Sequence, residues 1–295
     1  MALDAAAQSL TFETPAGTLS GLGWGRAGKP RIVALHGWLD SAASFGALGP
    51  ELARDYEVIA LDLPGHGQSF HRPPGESYEL LDYVRDLGLF LDRYAADDGV
   101  ILLGHSLGGI LASLLAVAVP DRVRRLILID SLGPLVATAE QFPDDLQRSL
   151  DRVRKGSRGE APLYSSPEEA VQARMDGRIP LSREAAEWIV PRNLGKREEG
   201  WYWVTDPRLR YPSMHRLQEA EVAAFMGRIA VPVLIVRASH GMLTYKQEIM
   251  AQRYGNLAHY AILDTRGGHH CHLDGCVDEI ATGCLEWLTN TGDGT

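Results

Sequence analysis

The amino-acid sequence predicts an α/β architecture: a mostly parallel central sheet flanked by helices, with a helical segment inserted late in the chain. Three observations predict it. Short apolar runs of strand length alternate with helix-like patterns from Arg31 to Leu288, and such alternation implies parallel strands joined by right-handed crossovers. Residues 100–119 run from strand through a glycine-flanked serine turn into a helix. Residues 134–225 are rich in Arg, Glu and Pro and carry helical patches between two strand-like runs. The expected division is therefore a core of 1–133 and 226–295, with 134–225 as an inserted helical cap.

The first elements form a hairpin. Residues 8–25 alternate apolar and polar side chains on either side of Gly17, the period of a half-buried strand pair. After a turn at 26–30, Arg31 to Leu35 is an apolar strand ending at His36-Gly37-Trp38-Leu39-Asp40. Glycine lets a loop there fold back closely and aim a backbone N–H into a site. Residues 45–54 read as a short helix and 57–61 as the next strand. The strand runs into Asp62-Leu63-Pro64-Gly65-His66-Gly67-Gln68-Ser69, a turn-rich loop whose shape Asp62 and His66 are expected to hold. Leu80, Val84, Leu87 and Leu91 recur at helical spacing over 80–94 and predict a helix covering the sheet.

Val100 to Leu103 form the next strand, followed by Gly104-His105-Ser106-Leu107-Gly108 and an apolar helix over 110–119. The pentapeptide fits G-x-S-x-G in the strand–turn–helix context this motif requires. A serine at the tip of so sharp a turn exposes its Oγ above the sheet edge. The helix that follows points its positive end at the same place. Arg125 to Ile129 is a further strand, ending at Asp130. In the inserted segment, helical patches are expected over 140–153, 167–175, 182–190 and 213–225, with Ser182 as an N-cap. The aromatic cluster Trp201-Tyr202-Trp203 is a candidate pocket lining. Strands at 232–237 and 260–263 and a closing helix at 280–288 complete the chain.

Composition narrows the function. With 295 residues and 45% hydrophobic side chains, a full core is available. A formal net charge of −9 argues against nucleic acid or an anionic membrane as the main partner and suits a small neutral molecule. Cys271, Cys276 and Cys284 are too few and too odd in number for a disulfide framework, so a reducing cytoplasm is expected. Met1 to Leu10 holds no basic residue and no long apolar run, so no secretory signal is expected there, and no window reaches the roughly 18 apolar residues that a membrane span needs. No phosphate-binding glycine loop is present and no cofactor is expected. Nothing in the sequence sets an oligomeric state.

Over nearly its full length the chain resembles the α/β-hydrolase superfamily. The matching pieces stand in order: His36-Gly37-Trp38, Asp62-Leu63-Pro64-Gly65-His66-Gly67-Gln68-Ser69, Gly104-His105-Ser106-Leu107-Gly108-Gly109 and Gly268-His269. Residues 36–45 and 203–209 look like the serine-hydrolase-like branch. The resemblance implies Ser106 as nucleophile, a late histidine as general base, and the backbone N–H groups of Trp38 and Leu107 as an oxyanion hole. His269, His270 and His272 all compete for the base. The family places it directly after a glycine with an acid five positions on, a register that Gly268-His269 and Asp274 match, so His269 is expected and His270 is the alternative.

The acid departs from the usual pattern. Where the family places it, after the penultimate strand, this chain has Ala238-Ser239-His240-Gly241-Met242, with no carboxylate. Some members carry it after the preceding strand, where Asp130 stands. Otherwise a dyad would serve. A metal is not expected among His269, His270, Cys271, His272 and Cys276, because neighbours in one loop rarely converge and the spacing fits no zinc pattern. The reading is a serine hydrolase cleaving a carboxylic ester or related acyl compound, with an apolar small-molecule substrate expected; thioester, amide and lactone bonds are open to the same residues. The alternatives are a C–C bond hydrolase on those residues, or a catalytically weak member that binds a small apolar ligand, which the missing carboxylate at 238–242 motivates.

Overall fold

The computed structural model describes residues 7–95, 97–156, 162–177, 179–245 and 247–291. Residues 1–6 of the stretch read above as lacking a leader lie outside them. The main sheet has eight strands: β1 (Gln8–Thr14), β2 (Gly17–Trp24), β3 (Arg31–Leu35), β4 (Glu57–Leu61), β5 (Val100–His105), β6 (Val123–Ile129), β9 (Val233–His240) and β10 (Tyr260–Gly268), in spatial order β1-β2-β4-β3-β5-β6-β9-β10. The β1–β2 and β2–β4 pairs are antiparallel and every other pair is parallel, so the opening hairpin and the parallel core both match the sequence expectation.

Helices cover both faces because the buried strands are apolar on both. Leu102, Leu126, Leu128 and Ile235 pack with α2 (Leu80–Tyr94) and α3 (Leu107–Ala118), while Ile101, Leu103, Ile127 and Val236 pack with α1 (Leu48–Leu52) and α9 (Val277–Asn290). Each of Leu102, Leu103, Leu126 and Ile127 is fully buried, and burying such a side chain is worth about 1.5–3 kcal/mol.

Between β6 and β9 lie α4 (Phe142–Lys155), α5 (Pro167–Met175), α6 (Arg183–Asn193), a two-stranded hairpin of β7 (Leu194–Arg197) and β8 (Gly200–Trp203), and α7 (Glu219–Met226). Ser182 caps α6 as expected, accepting the Ala185 N–H at 3.1 Å. One expectation is corrected. Residues 213–218 are not helical; α7 starts after Gln218, whose backbone N–H donates to Glu221. The aromatic triplet 201–203 is strand β8. One further helix, α8 (Gln247–Gly255), went unforeseen. This segment has its own small core, in which Val171, Ala185, Ile189 and Val190 meet Leu273 from the loop after β10. No helix among the described residues is long and apolar enough to cross a membrane.

Candidate active site

Ser106 sits between β5 and α3 with φ +52° and ψ −116°, a conformation that costs a non-glycine residue of order 1–3 kcal/mol and persists only when its surroundings enforce it. They do. Its N–H donates to Ile129 O at 3.2 Å, and its carbonyl accepts from Gly109 N, Ile110 N and Ser131 Oγ. The flanking glycines are steric necessities: a Cβ on Gly104 would collide with Gly108 O, and one on Gly108 with Leu35 O. The side chain is half-buried at the N-terminus of a twelve-residue helix.

The late histidine and the acid meet. His269 Nδ1 lies 2.6 Å from Asp130 Oδ2. Asp130, at the end of β6, is fully buried and adopts φ +44°. Its carboxylate also accepts the backbone N–H of Met242 at 2.6 Å and of Leu243 at 3.3 Å. A Cβ on Gly241 would collide with that carboxylate. The carboxylate from β6 thus fills the space a side chain after β9 would occupy, and the absence of an acid at 238–242 leaves no vacancy. Asp274, five positions after His269, accepts from Ser182 N instead.

Among the described residues Ser106 Oγ has no hydrogen-bond partner, His269 included. Its chain neighbour His105 joins the two segments: His105 Nε2 lies 2.8 Å from His269 O, with the rings 4.6 Å apart. A carbonyl can only accept, so Nε2 carries the hydrogen. Burial, then the neighbouring histidines, hold His105 well below its ordinary pKa, so the ring is neutral.

Trp38 follows His36-Gly37 in the loop after β3. That loop is stitched to the loop after β4 by a reciprocal histidine pair. His36 Nε2 accepts Leu63 N–H at 3.0 Å, and His66 Nε2 accepts Leu39 N–H at 3.1 Å. Each Nδ1 faces a carbonyl, Gly37 O and Pro64 O, which fixes the neutral Nδ1–H tautomer. Burial pushes the two histidines down to about 4 and about 3. Asp62 braces the same loop, accepting Ala42 N–H and Gln68 N–H and pairing with the buried Arg192 of α6. The expectation that Asp62 and His66 shape the loop is met. Among the described residues, neither the Trp38 nor the Leu107 backbone N–H donates a hydrogen bond.

His270 does not share the Asp130 carboxylate. Its Nε2 lies 3.1 Å from Asp40 Oδ2, while Asp40 Oδ1 accepts from Arg174 of α5 at 3.3 Å. Burial works to raise the Asp40 carboxyl, but His270 and Arg174 hold it well below the usual carboxylate range. Asp40 as a partner was missed in the sequence; the 230 residues separating it from His270 leave no local signal.

A protein-family model described as the alpha/beta hydrolase fold matches residues 30–275. The chain belongs to this family, as its sheet and strained serine turn indicate. Within it the chain falls in the serine-hydrolase-like branch. It is 30% identical over 295 residues to a Drosophila melanogaster protein named "Probable serine hydrolase", covering 95% of this chain and 87% of that one. It is 28% identical over 250 residues to the Homo sapiens "Serine hydrolase-like protein 2", covering 81% and 77%. The crystal structure of a hypothetical protein from Pseudomonas aeruginosa PAO1 superposes with a TM-score of 0.87 at 36% identity, covering 96% of this chain and 98% of that one.

Proposed function

We propose that the protein is a serine hydrolase that cleaves a carboxylic ester or related acyl compound through an acyl-enzyme on Ser106. The observation that carries this reading is the 2.6 Å His269–Asp130 hydrogen bond on a loop tied through His105 to the strained serine turn. Ser106 Oγ attacks the acyl carbonyl while His269 Nε2 takes its proton. Asp130 fixes the imidazole with Nδ1 protonated and stabilises the imidazolium. The free N–H groups of Trp38 and Leu107 receive the oxyanion, with the N-terminus of α3 adding positive potential. His269 then protonates the departing alkoxide. In the second half-reaction it deprotonates a water that attacks the acyl-enzyme, restoring Ser106.

Residues 134–225 serve in this reading as the cap over the site, held down by Arg192–Asp62 and Arg174–Asp40. Trp38, a proposed oxyanion donor, and Met242, whose N–H bonds Asp130, leave their apolar side chains half-exposed, which favours an apolar small-molecule substrate. The reading as a binding protein rested on the carboxylate missing from 238–242, and Asp130 bonded to His269 supports the hydrolase over it. The test is hydrolysis of short-chain p-nitrophenyl esters. Wild-type activity that disappears in a folded Ser106→Ala variant is expected; activity that persists there rejects the assignment.

A further inference from the structure

We infer that Asp40, His105 and His270 form a binding site for one divalent transition-metal ion of the zinc type, behind the proposed catalytic groups. One carboxylate oxygen and one nitrogen from each ring lie within 4.8 Å of one another, and all three residues are buried. They come from three segments: the loop after β3, the end of β5 and the loop after β10. Only His270 belongs to the histidine–cysteine cluster that the sequence made suspect.

Two further observations point to a ligand. His105 Nε2–H is used on His269 O, so Nδ1 is a bare lone pair, and it has no partner. His270 Nδ1 and both nitrogens of the fully buried His272 are also without partners, and the His272 ring lies 4.2 Å from that of His105. Of these atoms His105 Nδ1 is the one whose lone pair faces Asp40 across the space beside Gly37, and a fully buried acceptor without a partner calls for a bound group. Gly37 keeps the space open: a Cβ there would stand 2.9 Å from His105 Nδ1 and 3.3 Å from Asp40 Oδ2.

The donor set selects the ion. Two imidazoles and a carboxylate suit zinc, cobalt, nickel or copper, whereas magnesium and calcium take oxygen shells. Tetrahedral bonds of about 2.0–2.2 Å set ligand atoms roughly 3.4 Å apart, so side-chain shifts of about an ångström close the site. Arg174 is the competitor. Its guanidinium reaches Asp40 from the partly exposed side and supplies positive charge to the metal-free carboxylate; a metal ion would take that charge's place.

The experiment is a titration of the chelator-treated, tag-free full chain with cobalt(II) chloride, following the d–d absorption of the ion. It reads binding without reference to turnover, so its failure is separate from failure of the hydrolase reading. One equivalent is expected to bind with the intense bands of four-coordination. Asp40→Asn and His270→Gln should each weaken binding at least about tenfold, and Arg174→Gln should tighten it. Should Asp40→Asn not fold, His270→Gln and Arg174→Gln carry the test. No binding by the wild type, or equal binding by the wild type and His270→Gln, overturns the site.

Discussion

Two adjacent histidines, His269 and His270, each face a buried aspartate, and the two pairs are built for different ends. Asp130 is braced by two backbone N–H groups and gives its remaining capacity to one ring nitrogen of His269, whose side chain stays about a tenth exposed. Asp40 divides its oxygens between His270 and Arg174 and lies beside the orphaned nitrogen of His105. The same two side-chain types, one residue apart, make a presented imidazole in one case and a buried polar cluster in the other. What distinguishes them is what else each carboxylate bonds: backbone N–H groups for Asp130 and an arginine side chain for Asp40.

The largest separation between the pairs is expected in turnover. Asp130→Asn should lower kcat about 10⁴-fold, the effect of the analogous change in a serine-protease triad, whereas Asp40→Asn should lower it by no more than about tenfold. Steady-state ester hydrolysis of both variants checks this, and near-equal losses break the distinction. The collision at Gly241 sharpens it further. If the carboxylate matters by place rather than by strand, Asp130→Ala/Gly241→Asp should recover roughly 10² of the activity that Asp130→Ala loses, since the substituted carboxylate enters the same volume. No recovery in a folded double variant would tie the role to the β6 backbone.

A third histidine pairing supplies a contrast in pH. His36 and His66 are neutral in the fold and protonate at about 4 and about 3, against about 6.5 when unfolded. The unfolded chain therefore binds more protons below pH 6.5. Stability is lost as pH falls from 6.5 towards 4, on the order of 3 kcal/mol for His36. Urea unfolding at pH 7 and pH 4.5 measures it. His36→Gln, which keeps an acceptor for Leu63 N–H, should remove that residue's share of the slope, and an unchanged slope contradicts the assignment. The smallest effect belongs to His270→Gln. It should cost about 1–3 kcal/mol of stability through the unmatched Asp40, read as a lower Tm, while His269→Gln removes turnover.

Much of this was legible in the chain because the signals are local. The apolar runs, the glycines around Ser106 and the strand before Asp130 each declare themselves within a dozen residues. Helix α8 did not: Met250 and Tyr254 pack against the core four residues apart, but the buried position beside them is Arg253, bonded to Leu132 O, Pro134 O and Glu219, a charge where an apolar residue marks a core-facing helix. The β7–β8 hairpin was hidden because its strands are four residues each, too short for an alternation to show. The choice of His269 over His270 was open in the sequence, since both follow within two residues of Gly268 and only the fold assigns them to different carboxylates.

The account's central claim is a covalent intermediate on Ser106. The direct measurement is the intact mass of the protein, acid-quenched during turnover of a p-nitrophenyl ester, followed by peptide mapping. The account predicts a mass increase of one acyl group on the peptide containing Ser106, accumulating further in a variant slowed in deacylation and absent in Ser106→Ala. Sustained turnover with no adduct on that peptide would contradict it.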